Sequence, residues 1–370
     1  MPVNYNRQGR RASMAHIESG ATCFARASPA MDKPGRRARI GQFTDSFPTP
    51  AQSMAQKTAH RRLLARLATV VVGMATLAPA VAAQSAVPPP APQQASPMTE
   101  GVRRHERLAQ QVLPGVTVPI MLPGGAKGEL YVTTAARGQR RVSVLVHFHG
   151  AAWIPQQAAE SQDQPMVVVS LSLGSGSGVY DRTFRVPGMA DSLLARTQAT
   201  VDSLVGHRVE VRRLYLSGFS AGHGAIRVML RDSAWAPRVN GVLLMDGMHT
   251  SYVPEGMPLA SGGTLDSLNL LALTAYARRA ARGNADARMV ITHSEIFPGT
   301  FASTTETAAW MLQSLGMAEQ PVLKWGPRGM QQLGEAKRGG LLVMGFAGNS
   351  APDHIDHYHA MPELLRRLLR

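Results

Sequence analysis

Gly218-Phe219-Ser220-Ala221-Gly222 sets a hydroxyl between two glycines, directly behind the apolar run Leu214-Tyr215-Leu216 and just ahead of Ala225 to Leu230. That order reads as strand, sharp turn, helix, with the serine at the apex. Larger residues in place of the glycines would collide with the strand and helix that meet there. A serine raised in this way to the carboxyl edge of a parallel sheet can be reached by a histidine. The chemistry it offers is nucleophilic attack on a carbonyl carbon, with a covalent acyl intermediate. Glycine and serine are common turn residues, so the string alone says little. Its place between strand and helix makes Ser220 the candidate nucleophile.

Acyl transfer also needs N–H donors aimed at the developing oxyanion. The run Val142 to Val146 enters His147-Phe148-His149-Gly150-Ala151-Ala152-Trp153, a glycine-containing bend one strand–helix unit ahead of the serine. Backbone N–H groups there act without side-chain reorganisation. Ala151 or Ala152 supplies one donor, and Ala221, the residue after the serine, the other. The general base is expected in Asp353-His354-Ile355-Asp356-His357-Tyr358-His359, read as a loop between the last strand and the final helix. His354 is the choice, because it opens the segment behind Gly348 to Pro352. His357 is the alternative, and His359 reads as a helix-start residue. The third member is open between Asp246, at the end of Val242 to Met245, and Glu295, in the loop after Met289 to Thr292. Either carboxylate could orient an imidazole and stabilise its cation.

Other residues on these loops have plainer roles. His149, Gly150, His249, Tyr252 and His293 read as pocket lining or as hydrogen-bonders behind it, and Met248 and Met257 as packing. Trp153 is either a wall of the acyl pocket or a core residue. A competing reading takes His249, His293, His354, His357 and Asp353 as zinc ligands, since Asp-His-x-x-His on one segment suits that ion. A third leaves the same fold catalytically silent and used for binding.

These groups must be held by the elements around them. Gly115 to Met121 and Glu129 to Thr133 flank Pro123-Gly124-Gly125 as a hairpin. Short β-branched runs follow at Val142 to Val146, Met166 to Leu171, Arg213 to Leu216, Val242 to Met245, Met289 to Thr292 and Leu341 to Phe346. Several lack alternation, as strands covered on both faces do. Helical patterns lie at Met189 to Val205, Ala221 to Leu230, Leu265 to Ala281, Thr305 to Leu315 and Pro362 to Leu369. A hairpin followed by alternating strands and helices means an α/β fold: a mostly parallel sheet with helices on both faces, in one catalytic domain over 114–370.

The N-terminal part reads differently. Residues 1–53 are Arg-, Gly-, Ser- and Pro-rich and read as translated upstream sequence or a disordered extension, with Met54 a candidate start. Lys57, Arg61, Arg62 and Arg66 precede the apolar Leu67 to Leu77 and the small residues Val81-Ala82-Ala83, the pattern of a secretory signal peptide over 54–83. Residues 84–113 read as a linker. The expected destination is the periplasm or the exterior, with no stable membrane insertion after cleavage. Net charge is +15, but residues 1–83 hold 12 basic and 3 acidic residues, leaving 27 and 21, or +6, for the rest. That is a mildly basic surface and no nucleic-acid footprint. Cys23 is the lone cysteine and lies in the leader, which rules out disulfides and thiolate chemistry for the mature chain. Its oligomeric state is not legible.

Taken together, His147-Phe148-His149-Gly150, Gly218-Phe219-Ser220-Ala221-Gly222 and the late Asp353-His354 resemble the α/β-hydrolase family over about residues 114–370. The resemblance implies an eight-stranded, mostly parallel sheet, a Ser-His-Asp/Glu triad, no cofactor, no metal, and a small-molecule or polymeric ester as substrate. Thr292-His293-Ser294-Glu295, with Ser303-Thr304-Thr305-Glu306 behind it, looks like a particular bacterial branch of the family, to which the motifs attach no substrate. Two departures stand out. The family's usual aspartate after the seventh strand is absent. Residues 250–264 are short and Gly/Pro-rich, where a longer lid insertion is usual.

Overall fold

A computed structural model describes residues 104–283 and 286–370. The expected extension, signal peptide and most of the linker lie outside the described residues. Chain order begins with strands β1 (Val116–Met121), β2 (Lys127–Val132) and β3 (Arg141–Phe148), then helix α1 (Trp153–Glu160), β4 (Met166–Leu171), α2 (Ser177–Phe184) and α3 (Met189–Val205). β5 (Glu210–Phe219), α4 (His223–Arg231), β6 (Val239–Met245), a small hairpin of β7 (Tyr252–Val253) and β8 (Thr264–Leu265), α5 (Leu271–Ala281) and β9 (Arg288–Ser294) follow. The chain continues through α6 (Thr304–Ser314), β10 (Gln320–Trp325), β11 (Gln331–Arg338), β12 (Leu341–Phe346), α7 (Ala351–His359) and α8 (Met361–Leu369).

The main sheet runs β1-β2-β4-β3-β5-β6-β9-β12-β11-β10. From β4 to β12 every pairing is parallel, so five strand ends carrying candidate site residues open on one edge. Successive side chains of a strand face opposite sides, and both sides are apolar here. In β3, Val144, Val146 and Phe148 enter the core under α2 to α6, while Leu145 enters the core under α1, α7 and α8. β6 repeats this, with Val242 and Leu244 on one side and Leu243 and Met245 on the other. Strands buried on both faces need continuous apolar runs, which is why these segments lack alternation.

The sheet has ten strands where eight were expected. The eight are present, and β10 and β11 extend the β12 edge as an antiparallel ribbon. β10 is almost wholly exposed, and β11 alternates half-buried and buried residues. Charged, edge-type sequences carry little strand signal, because pairing rather than burial holds them. Three helices also went unread: α1, α2 and α7. α7 corrects the expected loop over Asp353 to His359. Its start is a capping box, with the Ser350 hydroxyl accepting from the Asp353 N–H and the Asp353 carboxylate accepting from the Ser350 N–H. Among the described residues, no helix is long and apolar enough to cross a membrane.

Candidate active site

Ser220 stands between β5 and α4 with φ of +46°, in the left-handed region that a serine seldom occupies. The glycines around it are there for clearance. A Cβ on Gly222 would lie 2.1 Å from the Phe148 carbonyl oxygen, and one on Gly218 about 3.0 Å from the Gly222 backbone. Gly247 belongs to the same corner, since a Cβ there would lie 2.6 Å from both N and O of Ser220. The β6 end is therefore in backbone contact with the serine turn.

Asp246, also at positive φ (+42°), sits on that β6 end and is 2% exposed. Its Oδ1 accepts from the Ser294 N–H (3.1 Å) and the Thr304 hydroxyl, and its Oδ2 from the Ser294 hydroxyl (2.8 Å) and His354 Nδ1 (2.7 Å). Burial alone would raise this carboxyl. The His357 and His354 imidazoles and the donated hydrogen bonds outweigh it and hold the group well below its ordinary range. An ionised carboxylate can only accept, so the proton in this pair sits on His354 Nδ1 and Nε2 is left as the basic nitrogen. His354 lies in the first turn of α7, with its ring 4.5 Å from that of Phe219, the residue before the serine. Among the described residues no hydrogen bond joins His354 to the Ser220 hydroxyl. Such bonds are often long in unliganded sites and tighten around substrate.

A serine turn after β5, a histidine after the last parallel strand and this strand order decide the architecture. The chain has the α/β-hydrolase fold. No protein-family model matches it, and no curated protein matches it in sequence. Among solved structures it is similar to the propionate-bound esterase Est2 of Thermogutta terrifontis, at 14% identity over 69% of this chain and 93% of that one, TM-score 0.39. A Pyrobaculum calidifontis esterase aligns at 13% identity over 70% and 85%, TM-score 0.38. The Pyrococcus horikoshii acylaminoacyl peptidase aligns at 11% identity over 69% of this chain, TM-score 0.39, and this chain spans 40% of that protein's length.

Within this α/β-hydrolase fold the other candidates sort by contact. Among the described residues no hydrogen bond joins Glu295 to His354. Its backbone N–H donates to the Gly348 carbonyl (3.0 Å) and its carboxylate accepts from the Gly348 N–H (3.2 Å), which ties down the approach to α7. His357 pairs with the Thr292 hydroxyl at 2.8 Å, and burial holds it down at about 4. His293 bonds Thr305 and Glu319, His249 bonds the Ala302 carbonyl, and Tyr252 donates to Glu306. Trp153 lies edge-on to His359, and His149 pairs with the Tyr180 hydroxyl at 2.9 Å. The four histidines of the zinc reading thus turn to separate partners. Among the described residues, the His/Asp atoms that do converge are those of His105, Asp353 and Asp356. The Arg107 guanidinium stands 3.4 Å from Asp356 beside them.

Gly150 has φ of +108°, His149 has +74°, and the bend they make presents Ala151 and Ala152. Among the described residues the N–H groups of these two alanines donate to no backbone carbonyl. Sequence reasoning passed over Ser294 and Thr304 as partners of Asp246. Their signal was the hydroxyl-rich pair of segments Thr292 to Glu295 and Ser303 to Glu306, which meet at that carboxylate. It also passed over His223, buried and held down to about 3 by burial, which bonds the Ser220 carbonyl at 2.9 Å.

Proposed function

We propose that this protein is an exported serine hydrolase that cleaves carboxylic esters through an acyl-enzyme. The observation that carries the reading is the 2.7 Å pairing of Asp246 with His354 beside a serine held at positive φ. Ser220 Oγ attacks the ester carbonyl carbon while His354 Nε2 takes its proton. Asp246 holds the imidazole tautomer and stabilises the imidazolium. The N–H of Ala221 and one from Ala151 or Ala152 receive the oxyanion. The tetrahedral adduct collapses, the C–O bond to the alcohol breaks, and His354 returns its proton to the leaving oxygen. Water then attacks the acyl carbon with His354 again as base, releasing acid and free Ser220.

Fluorophosphonate labelling followed by intact-mass spectrometry tests this. One adduct on Ser220, absent from Ser220→Ala, is expected, along with turnover of p-nitrophenyl esters that falls by several powers of ten in that variant. Labelling elsewhere, or an active preparation that takes no label, would sink the assignment. Comparing p-nitrophenyl esters of several chain lengths, a polyester film and aminoacyl amides assigns the substrate class. Export rests on the residue pattern of 54–83, and N-terminal sequencing of secreted or periplasmic material should begin near Gln84.

A further inference from the structure

α7 carries His354 and, four residues on, Tyr358, so both rings lie along one face of the helix. Both meet Phe219: His354 at 4.5 Å between ring centroids, and Tyr358 stacked on it at 4.8 Å with the rings nearly parallel. The Tyr358 ring also stacks on His147 at 5.3 Å. Its position explains Gly150, where a Cβ would lie 2.5 Å from the ring. The buried hydroxyl then donates to the Ala151 carbonyl at 2.7 Å, and the Ile154 N–H donates to that same oxygen at 3.2 Å.

In a trans peptide the carbonyl of one residue and the N–H of the next point in opposite directions within one plane. A donor that fixes the Ala151 carbonyl therefore aims the Ala152 N–H. We propose that Tyr358 is a positioning residue: its hydroxyl, anchored on the helix that bears His354, locks the Ala151–Ala152 peptide so that the Ala152 N–H faces the oxyanion formed at Ser220. This assigns the donor to Ala152 rather than Ala151, and it rests on the serine-hydrolase reading. Burial, with a smaller push from Tyr180, holds the phenol well above its ordinary 10, so it remains a donor at any working pH. One short helix then sets both the base and the oxyanion donor, against a common surface at Phe219.

The test is Tyr358→Phe, which keeps the stacked ring and removes the hydroxyl alone. Losing a direct oxyanion donor costs roughly 100- to 1000-fold, and loosening one should cost about 10-fold. Expected are a rate of fluorophosphonate labelling at Ser220 and a kcat on p-nitrophenyl butyrate each down about 10-fold, with KM within about 2-fold and phenylboronic acid bound about 10-fold more weakly. The acid limb of the pH profile and the melting temperature should stay in place. Unchanged labelling and inhibitor binding would overturn the proposal. So would a rate loss accompanied by a moved acid limb and a lowered melting temperature, which would make Tyr358 a support for α7 as a whole. Wild-type protein that takes no label at Ser220 would instead overturn the serine reading itself, and this inference with it.

Discussion

Two carboxylates, Asp246 and Glu295, were candidates to orient His354, and their surroundings separate them. Asp246 is buried with four donors on it, one of them His354, whereas Glu295 grips the backbone of Gly348. Asp246→Asn should lower kcat by about ten-thousand-fold, because an amide stabilises the wrong imidazole tautomer. Glu295→Gln keeps an acceptor for the Gly348 N–H and should cost at most about three-fold, well inside what removing uniform positioning does. Steady-state kinetics on one p-nitrophenyl ester decide it. Comparable losses in both variants would mean that the contact between Asp246 and His354 is not the working one. Ser220 and His354 could be read as candidates from the sequence because each has local signals, glycine spacing in one case and place after the last strand in the other. The acid could not. Asp246 and His354 are 108 residues apart, and only the order β6-β9-β12 brings them together.

The helix that carries His354, α7, is gripped from outside. Residues 104–113, the described end of the expected linker, run without regular structure along α7 and α1. His105 Nδ1 stands 2.6 Å from Asp356, Arg107 bonds Asp356 and the Pro352 carbonyl, and the Leu108 N–H donates to His359. Gln111 and Ala109 exchange hydrogen bonds with Gln157 on α1, and Leu108 and Leu113 reach the core beneath. Asp356 is 1% exposed. Taking hydrogen-bonding partners, one of them the Arg107 guanidinium, from a buried carboxylate costs roughly 3 kcal/mol. A chain starting at residue 114 should accordingly lose about that much stability against one starting at 84, read from urea midpoints. Equal midpoints would show that the segment is an ornament. The six parallel strands were legible because burial on both faces forces apolar β-branched runs, and the β1–β2 hairpin because Pro123-Gly124-Gly125 marks its turn. α7 was not, since its His- and Asp-rich composition hides a helix whose signal is the single Ser350-to-Asp353 box around Pro352. β10 and β11 were not either, being polar and held by pairing.

For the molecule as a whole, acid is the weakness. His147 and His223 are buried and held down to about 3 by burial, and His357 to about 4, against an ordinary 6.5. Below about pH 6.5 the unfolded chain binds a proton on each of these rings and the folded chain does not. Stability therefore falls as pH drops, by about 1.4 kcal/mol per pH unit for each ring between 6.5 and its folded value. The depressed carboxyl of Asp246 works in the same direction at lower pH. Its contribution is complete above the ordinary carboxylate range near 3.9 and is lost as pH falls toward its folded value. Thermal melts should be level above pH 7 and drop steeply between pH 6 and 4.5. A melting temperature that holds steady from pH 7 to 5 would mean that these rings are not buried neutral.

The proposed triad leaves one loop beside it free to change. With Asp246 at the end of β6, the loop that leaves β9 gives that carboxylate hydroxyl and amide donors, from Ser294 and Thr304 at its two ends. Ile296 to Phe301 lie between those anchors, and Phe297 and Phe301 are exposed there. The Phe301 ring stands 5.1 Å from His249, whose neighbour His223 bonds the Ser220 carbonyl. That stretch can vary in length and side chain while the reacting groups stay in register. It is the natural ground for a library that alters substrate choice and leaves the catalytic step alone.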